Sequence, residues 1–184
     1  MIINKTKVKQ MFKIIKRCCF LFGIYCFAFG FVSAQVGEKE PVLKAAFIYN
    51  FTKYIDWNSG NAEEFTIGII GNSSIYEPLN EIASTKMAGN KKIVIRRFNT
   101  PDEITDCNIL FIPSDNPYSI FSILSHTTKG MLTISETPGY AKMGTCINFV
   151  VNKDKLKFEA NVKSIFDAGL KASSQLLKLA ILVG

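Results

Sequence analysis

The only histidine among the 184 residues is His126, which precedes the polar run Thr127-Thr128-Lys129-Gly130. Proton transfer near neutral pH most often uses this side chain, so nearly all of the chain's acid–base potential rests on one residue. Its place at the polar end of an expected helix reads as a solvated position. There is no G-x-S-x-G turn, no cysteine with a histidine near it in sequence, and no pair of carboxylates on one apolar element. Serine-triad, cysteine–histidine and glycosidase chemistry therefore have nothing to start from. An enzyme would have to draw on His126, Glu136 and Asp115, and the expectation is that it is not one. Cys107, Cys146 and His126 are scattered, without a C-x-x-C or H-x-x-x-H pair, so no metal is expected. The strand-like run Phe65 to Gly71 feeds Asn72-Ser73-Ser74, where a doubly wound fold would seat a phosphate. Neither glycine-rich fingerprint occurs there, which leaves a plain strand-to-helix turn and no expected cofactor.

The residues left for binding lie on the first helix. Val42 to Trp57 reads as one helix with Pro41 near its first turn, stopped by Asn58-Ser59-Gly60-Asn61. At 100° per residue Leu43, Phe47, Phe51, Tyr54 and Trp57 share one face, and Ala45, Tyr49, Thr52, Lys53 and Asp56 the other. Asn50 falls at the centre of the apolar face. An amide there needs partners, either a backbone edge that ties the helix to a sheet or a ligand or partner protein. Phe47, Asn50, Lys53 and Trp57 are the candidate binding residues.

Behind that helix, short apolar runs alternate with amphipathic ones. Strands are expected at 65–71, 92–98, 108–113, 131–135 and 146–151, with helices at 74–84 and 117–125 and a helical turn after Thr100-Pro101. Crossovers of this kind favour a parallel sheet covered on both faces. Asn152-Lys153-Asp154 is short enough for a hairpin, so Leu156 to Ala160 should return antiparallel. Asn161 then stands where a helix cap belongs, ahead of the stripe Val162, Ile165, Phe166, Leu176, Leu177 and Ala180, with Gly169 and Ser173 permitting close packing. The expected fold is a single-domain α/β three-layer sandwich: a mostly parallel sheet, a C-terminal β-hairpin and a terminal helix.

Charge is unevenly placed. The net +7 hides six cations before Ala34, with no acid among them, followed by the uncharged run CCFLFGIYCFAFGF and the small residues Val32-Ser33-Ala34. Residues 1–34 read as a signal peptide cleaved after Ala34, the competing reading being an uncleaved anchor. The domain is then 35–184, with 16 of the 22 cations against 15 acids. That near-neutral balance removes the phosphate-neutralising footprint a nucleic-acid binder needs, so no nucleic acid is expected. Export would also place Cys107 and Cys146 in an oxidising compartment. A bridge between them would close a loop of about 39 residues and stabilise by roughly 3–4 kcal/mol. Two buried free thiols are the competing reading.

The chain from Val42 onward resembles the YfiR family of periplasmic proteins, small exported regulators of membrane-bound diguanylate cyclases. The likeness rests on Val42 to Trp57, on Phe65-Thr-Ile-Gly-Ile-Ile-Gly71, on Cys107-Asn-Ile-Leu-Phe-Ile-Pro113, on Leu132 to Ser135 and on Ile147 to Val150. It continues through Lys157 to Asn161 and Ala168 to Leu177. The resemblance implies a non-catalytic α/β module that binds the periplasmic part of an inner-membrane diguanylate cyclase. Through it, cyclic-di-GMP synthesis and biofilm formation would be restrained. It also implies an outer-membrane lipoprotein able to sequester the module, and a homodimer. Cys107 and Cys146 match two disulfide cysteines of that family, whose usual partners have no counterpart here. A periplasmic small-molecule sensor, with its cleft beside the aromatic helix around Trp57, is the alternative.

Overall fold

The computed structural model describes residues 35–57, 63–153 and 155–184, so the expected signal peptide, the loop after Trp57 and Asp154 lie outside the described residues. Lys39–Gly184 form one compact unit. Its centre is an eight-stranded sheet whose middle strands are apolar enough to be buried on both faces. The strands are β2 (Glu64–Ile70), β3 (Met87–Ala88), β4 (Lys91–Phe98), β5 (Ile109–Ile112), β6 (Leu132–Ser135), β7 (Ile147–Asn152), β8 (Lys155–Asn161) and β10 (Ile181–Val183). Their spatial order is β10-β8-β7-β6-β5-β2-β4-β3.

The pairs from β4 through β2, β5 and β6 to β7 are parallel, β7 and β8 form the antiparallel hairpin, and β10 returns parallel to β8. At the hairpin tip Lys153 takes the left-handed conformation. Every residue of β5 and β6 is buried. Alternate side chains serve opposite layers, which is why such strands read as continuous apolar runs. Ile109 and Phe111 of β5 join one core, and Leu110 and Ile112 join the other.

The first core is covered by α1 (Gln35–Tyr54), α2 (Tyr76–Thr85), α4 (Val162–Asp167) and α5 (Ser174–Leu179), which contribute Ile48, Leu79, Ile165 and Leu176 among others. The second is covered by α3 (Ile120–Leu124), through Ile120 and Ile123. The three-layer α/β arrangement with a mostly parallel sheet and C-terminal hairpin is therefore as the sequence implies.

Two helices differ from the pattern. The first begins at Gln35 and holds Pro41 within it. It buries Ala45, Ile48, Phe51 and Thr52, with Phe47 half-buried beside them, a stripe rotated from the expected face but sharing Phe51 with it. Leu43 is 47% exposed and Asn50 faces solvent. Thr52, on the other face by the periodicity, is buried too and satisfies its own hydroxyl by donating to Tyr49 O at 2.7 Å. Asn50 is therefore not the internal tie expected of it.

The helix ends at Tyr54, because β1 (Ile55–Asp56) pairs antiparallel with β9 (Lys171–Ala172). The second difference lies at that partner. The stripe expected to form one terminal helix is two short helices separated by β9, with Asn161 and Ser173 as their caps, accepting from Ser164 N and Leu176 N. Gly169 makes the break at φ +74°, so its role is a turn rather than close helix packing.

Candidate functional site

Parallel strands end together, and the crevice beyond their carboxyl ends is where α/β sheets hold ligands. Glu136 immediately follows β6 and Ser114 lies just beyond β5. Lys44 reaches them from α1, and its Nζ donates to Glu136 Oε2 at 2.5 Å. It also pairs with Glu40 Oε1 at 2.6 Å, one helical turn back. Glu136 Oε1 accepts from Ser114 N at 3.0 Å and from Ser114 Oγ at 3.2 Å.

Glu40, Lys44 and Glu136 form one wall of a cavity of about 420 Å³ whose other walls include Phe149, Val150, Val151 and Leu156. Lys44 and Glu136 are only 14% and 15% exposed at the side chain, and one ammonium faces two carboxylates. Burial acts to lower the Lys44 pKa. Hydrogen bonds and Coulombic attraction from Glu136 and Glu40 outweigh it and hold the ammonium above its ordinary value. The lysine therefore stays charged at neutral pH. The site offers recognition by charge and apolar contact, and no poised base.

On the opposite face of β6 and β7 a satisfied polar chain fixes the loop after Glu136. The Ser135 hydroxyl donates to Asn148 Oδ1 at 2.7 Å and lies 2.9 Å from the Thr145 hydroxyl. Asn148 Nδ2 donates to Glu159 Oε2 at 3.2 Å. Buried polar side chains of this kind are tolerable only when paired, and pairing makes them a register lock.

The four candidate binding residues do not converge on a cleft. Phe47 is packed in an aromatic cluster, with ring centroids 6.1 Å from Phe149 and 5.8 Å from Phe158. Trp57 lies edge-on to Phe65 at 4.9 Å, and its Nε1 donates to Thr52 O at 3.0 Å. Lys53 Nζ sits 4.4 Å over the Tyr49 ring, and both Lys53 and Asn50 point outward. The cavity belongs to the other end of α1, at Lys44. Its one signal in the sequence is an acid directly after the apolar run Leu132 to Ser135.

Cys107 and Cys146 are both buried free thiols. β6 stands between the strands they precede, so at least two strand spacings, about 9.6 Å, separate their backbones, beyond the roughly 7 Å a bridge allows. They also belong to different cores. Burial pushes the Cys107 thiol up to about 12, and raises Cys146 as well. His126 is a surface tie. Its Nε2 lies 3.0 Å from Asp102 Oδ1 and its Nδ1 2.8 Å from Ser122 O. Among the described residues no group of side chains is arranged to hold a metal, and no helix is long and apolar enough to cross a membrane.

The chain matches the model of a family described as YfiR/HmsC-like over residues 41–181. Among solved structures it is similar to a conserved domain protein from Vibrio cholerae O1 biovar El Tor. The TM-score is 0.56 at 10% identity, covering 79% of this chain and 60% of that one, a likeness of fold. It also matches the ABC domain in complex with L-Trp from Streptococcus pneumonia, at TM-score 0.48 and 14% identity, covering 65% of this chain and 55% of that one. The chain thus spans less than two thirds of the length of either. No curated protein matches it.

Proposed function

Because the chain belongs to the YfiR/HmsC-like family, we propose that it is an exported periplasmic regulator that binds an inner-membrane diguanylate cyclase and lowers cyclic-di-GMP. The family match over residues 41–181 is the observation that carries this reading. In this reading residues 1–34 are the signal peptide removed after Ala34. An outer-membrane lipoprotein then competes for the module, and two copies associate.

Deletion of the gene is expected to raise cellular cyclic-di-GMP and biofilm mass. Crosslinking in intact cells should capture a membrane cyclase. Unchanged cyclic-di-GMP together with no cyclase recovered overturns the reading.

A second reading, a small-molecule sensor, is favoured by the cavity at Lys44, whose volume falls within the range of ligand pockets. It moves the expected cleft from Trp57 to the opposite half of α1. A metabolite that binds there shifts the amide resonances of Val150 and Val151. A panel that leaves those amides unmoved removes this reading without touching the first.

A further inference from the structure

We propose that the free edge of β4 docks an extended, acidic segment of a partner protein, which adds a strand to the sheet. The surface goes beyond the regulatory reading, since it holds whichever protein supplies the strand. β2 pairs with β4 along its length, from Glu64↔Lys92 to Ile70↔Phe98. On the other side β3 supplies only Met87 and Ala88, opposite Lys92 and Lys91. Among the described residues no strand lies beyond Ile93.

Hydrogen bonds decide which groups are left facing out. Lys92 N donates to Glu63 O at 3.2 Å and Phe98 O accepts from Gly71 N at 2.7 Å, so the even-numbered residues of β4 bond inward toward β2. Alternation along a strand then turns the groups of Ile93, Ile95 and Arg97 outward; β3 ends beside the first of these, which leaves the amides and carbonyls of Ile95 and Arg97 beyond it. Such a row is a template for a further strand.

Charge selects the occupant. The strand reads Lys-Lys-Ile-Val-Ile-Arg-Arg-Phe, with no acid of its own, and Lys92, Arg96 and Arg97 are exposed, as is Lys86 just before β3. Arg97 is held in place, its guanidinium 4.9 Å over the Tyr76 ring and its Nη2 donating to Asn72 Oδ1 at 2.5 Å. Arg96 Nη2 lies 3.8 Å from Glu64 Oε2, both side chains being about half exposed. A second copy of this edge would set cations beside cations, which is how edges are guarded against self-pairing. A strand carrying carboxylates at alternate positions converts that repulsion into attraction.

The test uses the purified protein and two labelled heptapeptides, one alternating glutamate with valine and one alternating lysine with valine. Fluorescence anisotropy is expected to show saturable binding of the acidic peptide at low salt, weakened at high salt, and no binding of the basic one. In NMR spectra the amides of Ile95 and Arg97 should move. Lys92→Glu combined with Arg96→Glu should weaken binding by about tenfold or more, and Ile95→Pro should weaken it without loss of circular dichroism. The proposal is overturned if the acidic peptide fails to bind at millimolar concentration, or if both peptides bind alike. Shifts confined to another surface, or unchanged affinity in the charge-reversed protein, overturn it equally.

Discussion

Lys44 sets the electrostatics of the cavity, and its replacement exposes how much of the local stability is ionic. Lys44→Met leaves Glu40 and the mostly buried Glu136 facing each other without a cation. Urea denaturation should show a loss of about 1–3 kcal/mol, and adding Glu136→Gln should recover part of it. The pH dependence follows from the sign of the shift. A lysine whose folded pKa lies above 10.5 contributes fully below the unfolded value and loses that contribution as pH climbs through the folded one.

Cys107 adds a second alkaline loss. In the unfolded chain its thiol ionises near 9.0, while the folded protein keeps the proton until about 12. Stability should therefore fall as pH rises through that window, and Cys107→Ala should flatten the fall in melts recorded across it. Without reductant, both thiols should titrate after denaturation and neither before it. The sequence left bridged and unbridged cysteines open because the deciding fact, that β6 lies between their strands, is a property of strand order.

Elements were legible in proportion to how far local pattern determines them. The parallel strands announce themselves, since burial on both faces forces apolar runs bounded by turn residues. The orientation of α1 was legible in part: Phe47 and Phe51 pack inward as the aromatic face implies, but Ala45, Ile48 and Thr52 dock beside them and Leu43 is exposed, because aromatic residues dominate any hydrophobicity sum. The terminal stripe misled for a related reason. Ile165 and Leu176 are at helical spacing from their neighbours, yet each is the buried anchor of its own short helix. Lys44 and Glu136 lie 92 positions apart, and no local pattern joins them.

Two glycines separate conformational from steric cost at this scale. At Gly169, φ +74° is the constraint and the nearest atom to an added Cβ is Lys129 Cδ at 3.9 Å, so Gly169→Ala should cost about 1–2 kcal/mol. At Gly68 an added Cβ would lie 2.6 Å from the buried Phe98 ring and 3.1 Å from Cys107 Sγ. Gly68→Ala should cost about 1–3 kcal/mol through overpacking, and thermal melts can compare the two variants directly.

At the scale of the whole molecule, the fold divides its labour between the ends and the edges of one sheet. The carboxyl ends of β5 and β6 carry Ser114 and Glu136, which meet Lys44 of α1, and the outer edge at β4 carries the cations. Both positions are far from the interior that the sequence describes best. Length and composition fix a single near-neutral α/β body, and surfaces with a use are built from residues that only the topology assembles.

The small pairing of Ile55 and Asp56 with Ala172 and Lys171 governs when the molecule can become whole. Ser173 N donates to Tyr54 O at 2.8 Å beside it, so the end of the opening helix is latched by the closing segment of the chain. Contacts of such long sequence separation form late, after the intervening loop entropy has been overcome. A polypeptide synthesised amino end first consequently keeps its first helix unlatched until residues 171–173 have emerged. Ending the chain after Gly169 should leave the near-ultraviolet dichroism of Trp57 close to that of an unfolded chain.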